Sequence, residues 1–318
     1  MVKRGQIIST IVLLAFFLSF VFFLLFKSKD GKETEVFIPK GSSPVKIAKI
    51  LKDKKIISYP KLFTGTVKFL GYSKRLKAGL YDFNDGDSLI KVIKKLKNGD
   101  NKNVRVTIPE GFVIKQIGKV LEEKNICSKE KFVEIAMSKK LEGYLFPNTY
   151  FLPPQTDENE VIKTLNNEFN KYWTKEKEDR LQRINMSKKD VVILASIVER
   201  EAVSDNERPV IAGVFINRLK KRMRLESCAT VLYAMGENKE RLTYADLEFQ
   251  SPYNTYRHFG LPPAPICNPG AKALDAVLYP AITNSLYFVS KGNGTHFFAE
   301  SLEEHVRNKK VTKKAKLS

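Results

Sequence analysis

The longest uninterrupted apolar segment lies at the start of the chain. Residues Ile7 to Phe26 carry no charged side chain, and a helix of that length spans about 30 Å, the thickness of the hydrocarbon core of a membrane. The apolar core of a cleavable signal peptide is about 7–15 residues long and ends at small residues, whereas this segment ends in FFLLFKSK. The pattern predicts one uncleaved transmembrane helix, with a signal peptide as the alternative.

Beyond this segment the apolar positions form an internal repeat. The stretches Phe37–Ile57 and Thr107–Cys127 align without a gap, and each has the pattern of a short strand, a Pro-x-Gly turn and an amphipathic helix. Between them, Ala78–Gly99 has the same order, with an Asp-Gly turn and an Asn-Gly stop. Two copies do not build a solenoid, so the repeat predicts βα units within an α+β fold.

The most regular helical pattern covers Ser187–Arg224 and predicts two consecutive helices. Ser187 and Asp190 have capping-box spacing, which marks the start of the first helix. Its apolar positions recur every three or four residues and predict a buried face, formed by Val191, Leu194, Ala195, Val198 and Ala202.

Glu199 and Glu201 fall on opposite margins of this face. An apolar wall there can raise the pKa of a carboxyl group, as a general acid requires. The alternative is that both glutamates are solvated ends of an amphipathic helix. Periodicity alone does not choose between Glu199 and Glu201 as the acid.

Composition excludes several classes of protein. The 318 residues are 43% hydrophobic, enough for two or three modest domains with their own cores. Three cysteines and three histidines show no metal-ligand spacing, and no nucleophile elbow or phosphate loop occurs, so no metal or cofactor is predicted. The net charge of +20 comes from lysines spread along the chain without a nucleic-acid motif. Anionic lipid head groups are therefore expected partners of a membrane-anchored chain rather than nucleic acids.

A series of motifs between residues 141 and 298 resembles the YceG-like family of endolytic murein transglycosylases. The matching blocks are LEGYLFPNTY (141–150), LASIVEREA (194–202), VFINRLKKRMRL (214–225), TVLYAMG (230–236), SPYNTYRHFGLPPAPICNPG (251–270) and YFVSKGNGTHFF (287–298). The chain departs from the family pattern at three places. Ala202 replaces the usual Thr or Ser, Asn148 replaces Asp, and the segment LESCATV lacks the usual Asp and Pro.

The resemblance implies that Glu201 is the catalytic acid of a peptidoglycan lytic transglycosylase, a lyase. Such an enzyme cleaves the MurNAc–GlcNAc bond within nascent glycan strands, leaves 1,6-anhydroMurNAc ends and terminates strand elongation. It also implies a single-pass protein of the bacterial cytoplasmic membrane with its catalytic domain outside, and peptidoglycan synthases as partners. The alternatives are a hydrolytic muramidase and a non-catalytic, membrane-tethered glycan-binding protein.

Further residues are predicted to bind the glycan. The resemblance places Tyr253, Asn254 and Tyr256 in the cleft, with Glu199 beside the acid. The Tyr144 ring can stack on a sugar, or it can fill a hydrophobic site under its loop. Asn217 and Arg218 can hold an N-acetyl or lactyl group, and the alternative for Arg218 is a structural ion pair with Glu201 or Glu199.

The resulting domain limits follow the chain. We expect a cytoplasmic tip and membrane anchor at 1–31, a LysM-like subdomain at 32–102, a YceG-like catalytic domain at 103–307 and a basic disordered tail at 308–318. The LysM-like resemblance suggests affinity for glycan strands. The alternative is a packing module that holds the catalytic domain away from the membrane.

Overall fold

The computed structural model describes Ser19 and residues 31–39, 41–236, 239 and 242–315, without the side chains of 313–315. The predicted transmembrane helix Ile7–Phe26 lies, apart from Ser19, outside these residues. Within the described ranges, no helix has the length and apolar character needed to cross a membrane.

The chain divides into two compact units. The first runs to Arg105 and also contains residues 124–126 and 151–156, and the second contains 106–123, 127–150 and the chain from 157 onward. Helices and short antiparallel strands occur in both halves of the chain, which confirms the predicted α+β class. The domain limits drawn from the sequence stay predictions.

The first unit is built from βα elements. They are β1 (Glu33–Ile38), α1 (Pro44–Asp53), α2 (Pro60–Phe69), β2 (Gly79–Asn84) and α3 (Leu89–Asn98). Strands β1 and β2 are antiparallel, with Glu33 opposite Asn84 and Ile38 opposite Gly79. Their apolar faces and those of the helices enclose one core, in which Phe63, Tyr81 and Phe83 are completely buried.

The two copies of the internal repeat share the backbone conformation of their turns. Gly41 and Gly111 occupy the same position of the two Pro-x-Gly turns, with φ of 74° and 77°. This left-handed conformation is easily reached by glycine and is unfavourable for residues with a side chain. The two glycines allow the chain to reverse between strand and helix in both copies.

The elements from residue 104 onward are mostly helical. They are β3 (Val104–Ile108), α4 (Ile114–Glu123), α5 (Lys129–Ser138), β4 (Asn148–Leu152), α6 (Glu158–Tyr172), α7 (Lys175–Ile184), α8 (Lys188–Glu201), α9 (Arg208–Lys220), α10 (Cys228–Met235), α11 (Tyr244–Leu247), α12 (Ala271–Leu278), β5 (Tyr287–Ser290), β6 (His296–Ala299) and α13 (Leu302–Ala315). Strand β3 pairs with β4, and β5 pairs with β6 in an antiparallel hairpin.

Helix α8 is the central element of the second unit. The Ser187 hydroxyl accepts a hydrogen bond from the Asp190 N–H at 3.1 Å, which confirms the predicted helix start. The predicted apolar face is buried, but so is every other residue from Val191 to Val198. The reason is that α9, α10 and α12 all pack against this helix. Glu201 is its last residue, and the chain is extended at Ala202.

The end of the chain differs from the prediction of a disordered tail at 308–318. Helix α13 continues to Ala315 and packs against the β5–β6 hairpin. His305 and Thr312, seven residues apart on one helix face, are both buried, and the His305 ring stacks on Tyr287 with centroids 5.2 Å apart. These two buried side chains give helix α13 a packed face that its lysine-rich composition did not reveal.

Candidate active site

The carboxyl group of Glu201 lies between the end of α8 and the start of α10. Its Oε1 accepts a hydrogen bond from the hydroxyl of Ser227, the residue immediately before α10. The backbone N–H of Ala229, in the first turn of α10, also donates to the carboxyl group. No ion pair joins Glu201 to a cation among the residues that the structure describes.

Burial is the main influence on the acidity of this group. It raises the pKa of Glu201 above its ordinary value, and the hydrogen bonds from Ser227 and Ala229 offset only part of that rise. Electrostatic interactions with His296 and Arg200 act in the same lowering direction on the pKa of Glu201, more weakly. Glu201 can therefore hold a proton at a higher pH than a solvated glutamate does.

Glu199 has entirely different surroundings. Its Oε1 accepts from Arg208 Nη1 at 2.7 Å, and its Oε2 accepts from the Gly270 N–H at 2.9 Å. Gly270 is the N-cap of α12, and the side chain of Glu199 is only 5% exposed. Both oxygens thus join α8 to α9 and α12, which favours a structural role. The prediction that Glu199 binds substrate stays a prediction.

Two buried threonines bring the loop that follows α11 close to Ser227 and Glu201. Thr255 Oγ1 accepts from the Ser227 N–H at 3.0 Å and lies 2.9 Å from Thr230 Oγ1. The next residue, Tyr256, places its hydroxyl 3.2 Å from the Sγ of Cys228. Desolvation raises the pKa of both Cys228 and Tyr256, and the negative charge of Glu201 adds to the rise. Glu201, Ser227, Cys228 and Tyr256 therefore form one cluster.

The other two loop residues predicted to bind glycan have internal partners. Asn254 is fully buried, and its Nδ2 donates to the carbonyl oxygens of Leu247 and Phe249. Tyr253 packs its ring against Tyr233, with centroids 5.1 Å apart, and remains half-buried. Asn254 fixes the shape of the loop, while Tyr253 keeps an accessible edge.

Asn217 and Arg218 hold the chain before β5, and Arg218 also holds the segment 224–226. Asn217 Nδ2 donates to the carbonyls of Thr283 and Ser285, at 2.7 and 3.2 Å. Arg218 is buried, donates to three backbone carbonyls and forms its ion pair with Glu226 at 3.1 Å. The alternative that Arg218 pairs with Glu201 or Glu199 is therefore wrong, because its guanidinium group is used by the segment 224–226 and by Leu286.

Tyr144 lies near the opposite end of α8. Its ring packs edge-on against Phe169, with centroids 5.2 Å apart, and the charge of Asp190 contributes to raising its pKa. Asp190 precedes Glu201 by eleven residues of helix, which corresponds to about 16 Å along the axis. The structure thus brings Tyr256 to Glu201 but does not bring Tyr144 there.

Ser227 and the pair of His296 and Glu207 could not be singled out as site residues from the sequence. His296 Nδ1 lies 2.7 Å from Glu207 Oε2, and the His296 N–H donates to Glu207 Oε1. A serine directly before the apolar run of α10 is a recognisable N-cap signal, but its contact with Glu201 joins residues 26 positions apart. In the described part of the chain, no cluster of three His, Cys, Asp or Glu residues could hold a metal ion.

Comparisons with known proteins give one family. The sequence profile of the YceG-like family matches residues 36–311. An endolytic murein transglycosylase of Bacillus subtilis strain 168 is 38% identical over 309 residues, covering 88% of this chain and 85% of the relative. The endolytic murein transglycosylase of Streptococcus pneumoniae strain D39 is 27% identical over 92% of this chain, which spans 64% of that relative.

A solved structure supports the same relationship. The crystal structure of a YceG-like protein from Listeria monocytogenes superposes with a TM-score of 0.59 at 34% sequence identity. The superposition covers 87% of this chain and 99% of that one.

Proposed function

Because the chain belongs to the YceG-like family, we propose that it is a lytic transglycosylase that cleaves the glycan strands of peptidoglycan. The observation that carries this proposal is the environment of Glu201. Its pKa is raised by burial, and its partners are a hydroxyl and a helix N-terminus instead of a cation. Relatives named endolytic murein transglycosylases support the choice of substrate.

The first chemical step is proton donation. Glu201 protonates the glycosidic oxygen between MurNAc and GlcNAc, and the bond from that oxygen to C1 of MurNAc breaks. The N-acetyl group of the same MurNAc stabilises the positive charge that develops at C1. The raised pKa of Glu201 suits this step, since the acid must hold its proton until the bond breaks.

The second step uses the same carboxyl group as a base. Ionised Glu201 takes the proton from the 6-hydroxyl of MurNAc, and that oxygen bonds to C1. The product is a 1,6-anhydro end, and Glu201 is again protonated. Glycosidases that use water commonly need a second carboxylate. The engagement of Glu199 with Arg208 and Gly270 supports a mechanism with a single carboxylate.

The cellular setting is also part of the proposal. The enzyme is held in the bacterial cytoplasmic membrane by Ile7–Phe26 and acts on the outer side, where it cuts within nascent strands, ends their elongation and works beside peptidoglycan synthases. Replacing Leu13, Leu14 and Phe17 by arginine should move the protein from the membrane fraction to the soluble fraction. A protein that remains membrane-bound would contradict the proposed anchor.

The first unit is proposed to be a LysM-like module that binds glycan. The βα order of its elements and the exposed rings of Tyr59 and Phe69 support this role, because aromatic faces stack on sugar rings. Replacing both rings by alanine should weaken sedimentation of the protein with insoluble peptidoglycan. Unchanged sedimentation would favour a packing module instead.

Mass spectrometry of the products tests the enzymatic proposal. The full chain and its Glu201→Gln variant are incubated with purified uncrosslinked glycan strands. We expect new fragments one water lighter than hydrolysis products from the wild type, and none from the variant. Fragments of full hydrolytic mass would identify a muramidase, and intact strands would contradict the enzymatic proposal and favour a glycan-binding role.

A further inference from the structure

The hydroxyl of Ser227 contacts the catalytic carboxyl group directly. Ser227 is 2% exposed and precedes α10 as its N-cap residue. A serine at this position ordinarily accepts a hydrogen bond from an N–H of the first helical turn. Ser227 makes no such capping bond, and its hydroxyl instead donates to Oε1 of Glu201. The side chain therefore does not serve the helix that it precedes.

The backbone of Ser227 holds this hydroxyl in place. Its N–H donates to Thr255 Oγ1 at 3.0 Å, and its carbonyl oxygen accepts from Thr230 Oγ1 at 2.7 Å. Thr230 and Thr255 also contact each other and are both buried. Such a network of buried hydrogen bonds fixes the donor before any substrate arrives.

We propose that Ser227 is a positioning residue that selects which oxygen of Glu201 carries the catalytic proton. The inference rests on the proposed function, since it assigns a role within that reaction. A hydroxyl that donates to Oε1 leaves Oε1 as an acceptor, so the transferable proton resides on Oε2. The same hydroxyl then stabilises the carboxylate that forms once the proton has left.

This role differs from that of a tether between two helices. The bond from Ser227 is the strongest influence that lowers the pKa of Glu201 against the effect of burial. The other titratable or charged groups that face Glu201 are Cys228 from α10, Tyr256 from the loop, His296 from β6 and Arg200 from α8 itself. A purely mechanical tether would affect stability and leave the protonation of Glu201 unchanged.

The test compares Ser227→Ala with Ser227→Thr in the full chain. Without the hydroxyl, the pKa of Glu201 rises further, so the alkaline limb of the pH–activity profile moves to higher pH. Loss of a hydrogen bond to a charged group lowers kcat by about tenfold to hundredfold. We expect Ser227→Thr, which keeps a hydroxyl, to restore both the rate and the wild-type profile.

Ser187→Ala is the matched control. Ser187 is the N-cap of the catalytic helix, but its hydroxyl caps that helix at the end opposite Glu201. We expect this variant to lose some thermal stability and to retain the wild-type pH profile. An alkaline limb that is unchanged in Ser227→Ala would overturn the proposal, whatever happens to the rate.

Two further measurements keep the test decisive. Titration of the Glu201 carboxyl carbon by NMR, without substrate and assigned with Glu201→Gln, reports the effect of Ser227 even if the protein is not a transglycosylase. If Ser227→Ala does not fold, Ser227→Cys replaces it, because a thiol is a much weaker donor. Identical titrations in Ser227→Cys and Ser227→Thr would then refute the inference.

Discussion

Two glutamates separated by one residue on the same helix have different hydrogen-bond partners, a cation for Glu199 and uncharged donors for Glu201. Glu199 forms a buried ion pair with Arg208, whereas Glu201 accepts hydrogen bonds from the Ser227 hydroxyl and the Ala229 N–H. Periodicity placed both residues on the margins of the buried face, and it carries no information about the partners. Arg208 and Gly270 come from other elements, so only the fold distinguishes the carboxylate that is held in an ion pair from the one that accepts from uncharged donors.

At the residue scale we predict that Glu199→Gln destabilises the protein and Glu201→Gln does not. Removing one member of a buried ion pair leaves the other charge uncompensated, which costs about 3 kcal/mol of unfolding free energy. Glu201→Gln removes a carboxylate whose ionisation burial opposes, so its stability at pH 8 should equal or exceed that of the wild type.

Urea unfolding followed by the fluorescence of Trp173, the single tryptophan, measures this difference. Both variants make the same chemical change, so each serves as the control for the other. Equal stability of Glu199→Gln and the wild type would contradict a structural role for Glu199.

At the scale of elements, local and distant helix caps differ in how well they can be predicted. Ser88 and Ser187 each cap the helix that follows them, and a short sequence window contains both partners. Glu142 does the same for α4 from 28 residues away, since both of its oxygens accept from the Ile114 N–H. Asn268 Nδ2 completes this site from a third segment, at 2.9 Å. No local pattern could have indicated it.

The Glu142 site leads to a prediction about pH and stability. Burial raises the pKa of Glu142 from 4.5 to about 7, against the hydrogen bonds from Ile114 and Asn268. The folded protein therefore binds this proton more tightly than the unfolded chain does. The stabilising effect is complete below pH 4.5 and is lost as the pH rises to about 7, by about 3 kcal/mol in all.

Glu142→Gln should remove this dependence, because an amide does not titrate. The amide oxygen can still accept from Ile114 and Asn268, so the contacts of the site are kept. Urea unfolding at pH 5 and pH 8 measures the difference in slope between the variant and the wild type. We expect the variant to gain stability relative to the wild type at pH 8. A difference that does not change with pH would show that Glu142 titrates normally.

At the scale of the whole molecule, the two units have separate hydrophobic cores. The α+β class and the strand, turn and helix order of the repeats followed from apolar periodicity and turn glycines, because both are local properties. The sequence pattern could not predict that residues 124–126 and 151–156 belong to the first unit, since this depends on contacts between distant segments. Charge composition also failed at α13, where two buried side chains decide the structure.

Separate cores predict that damage to the first unit does not spread to the second. Phe63→Ala removes a completely buried ring from the first core and should cost that unit about 3–5 kcal/mol. Phe69→Ala is the matched control, because this ring lies on the same helix α2 and is 90% exposed. Calorimetry should show a lower transition temperature for the first unit in Phe63→Ala, and an unchanged one in Phe69→Ala.

Trp173 fluorescence reports on the second unit, since this residue belongs to its core. Its unfolding midpoint should be the same in both phenylalanine variants. A midpoint that falls together with the first transition would contradict independent cores.

The thiol of Cys228 offers a position for covalent modification close to Glu201. The described cysteines are exposed at 228, half-buried at 127 and buried at 267, so a bulky electrophile reaches Cys228 first. Although Cys228 as a whole is exposed, its thiol is partly shielded from solvent. This desolvation, with a contribution from Glu201, raises the pKa of the thiol and makes reaction with a simple alkylating reagent slow. An electrophile attached to a muramyl sugar would overcome this slowness by its high local concentration beside the acid. Selective covalent inhibition would then depend on recognition of the sugar. The Cys228 thiol is a weak nucleophile, so electrophiles that lack the sugar would react with it only slowly.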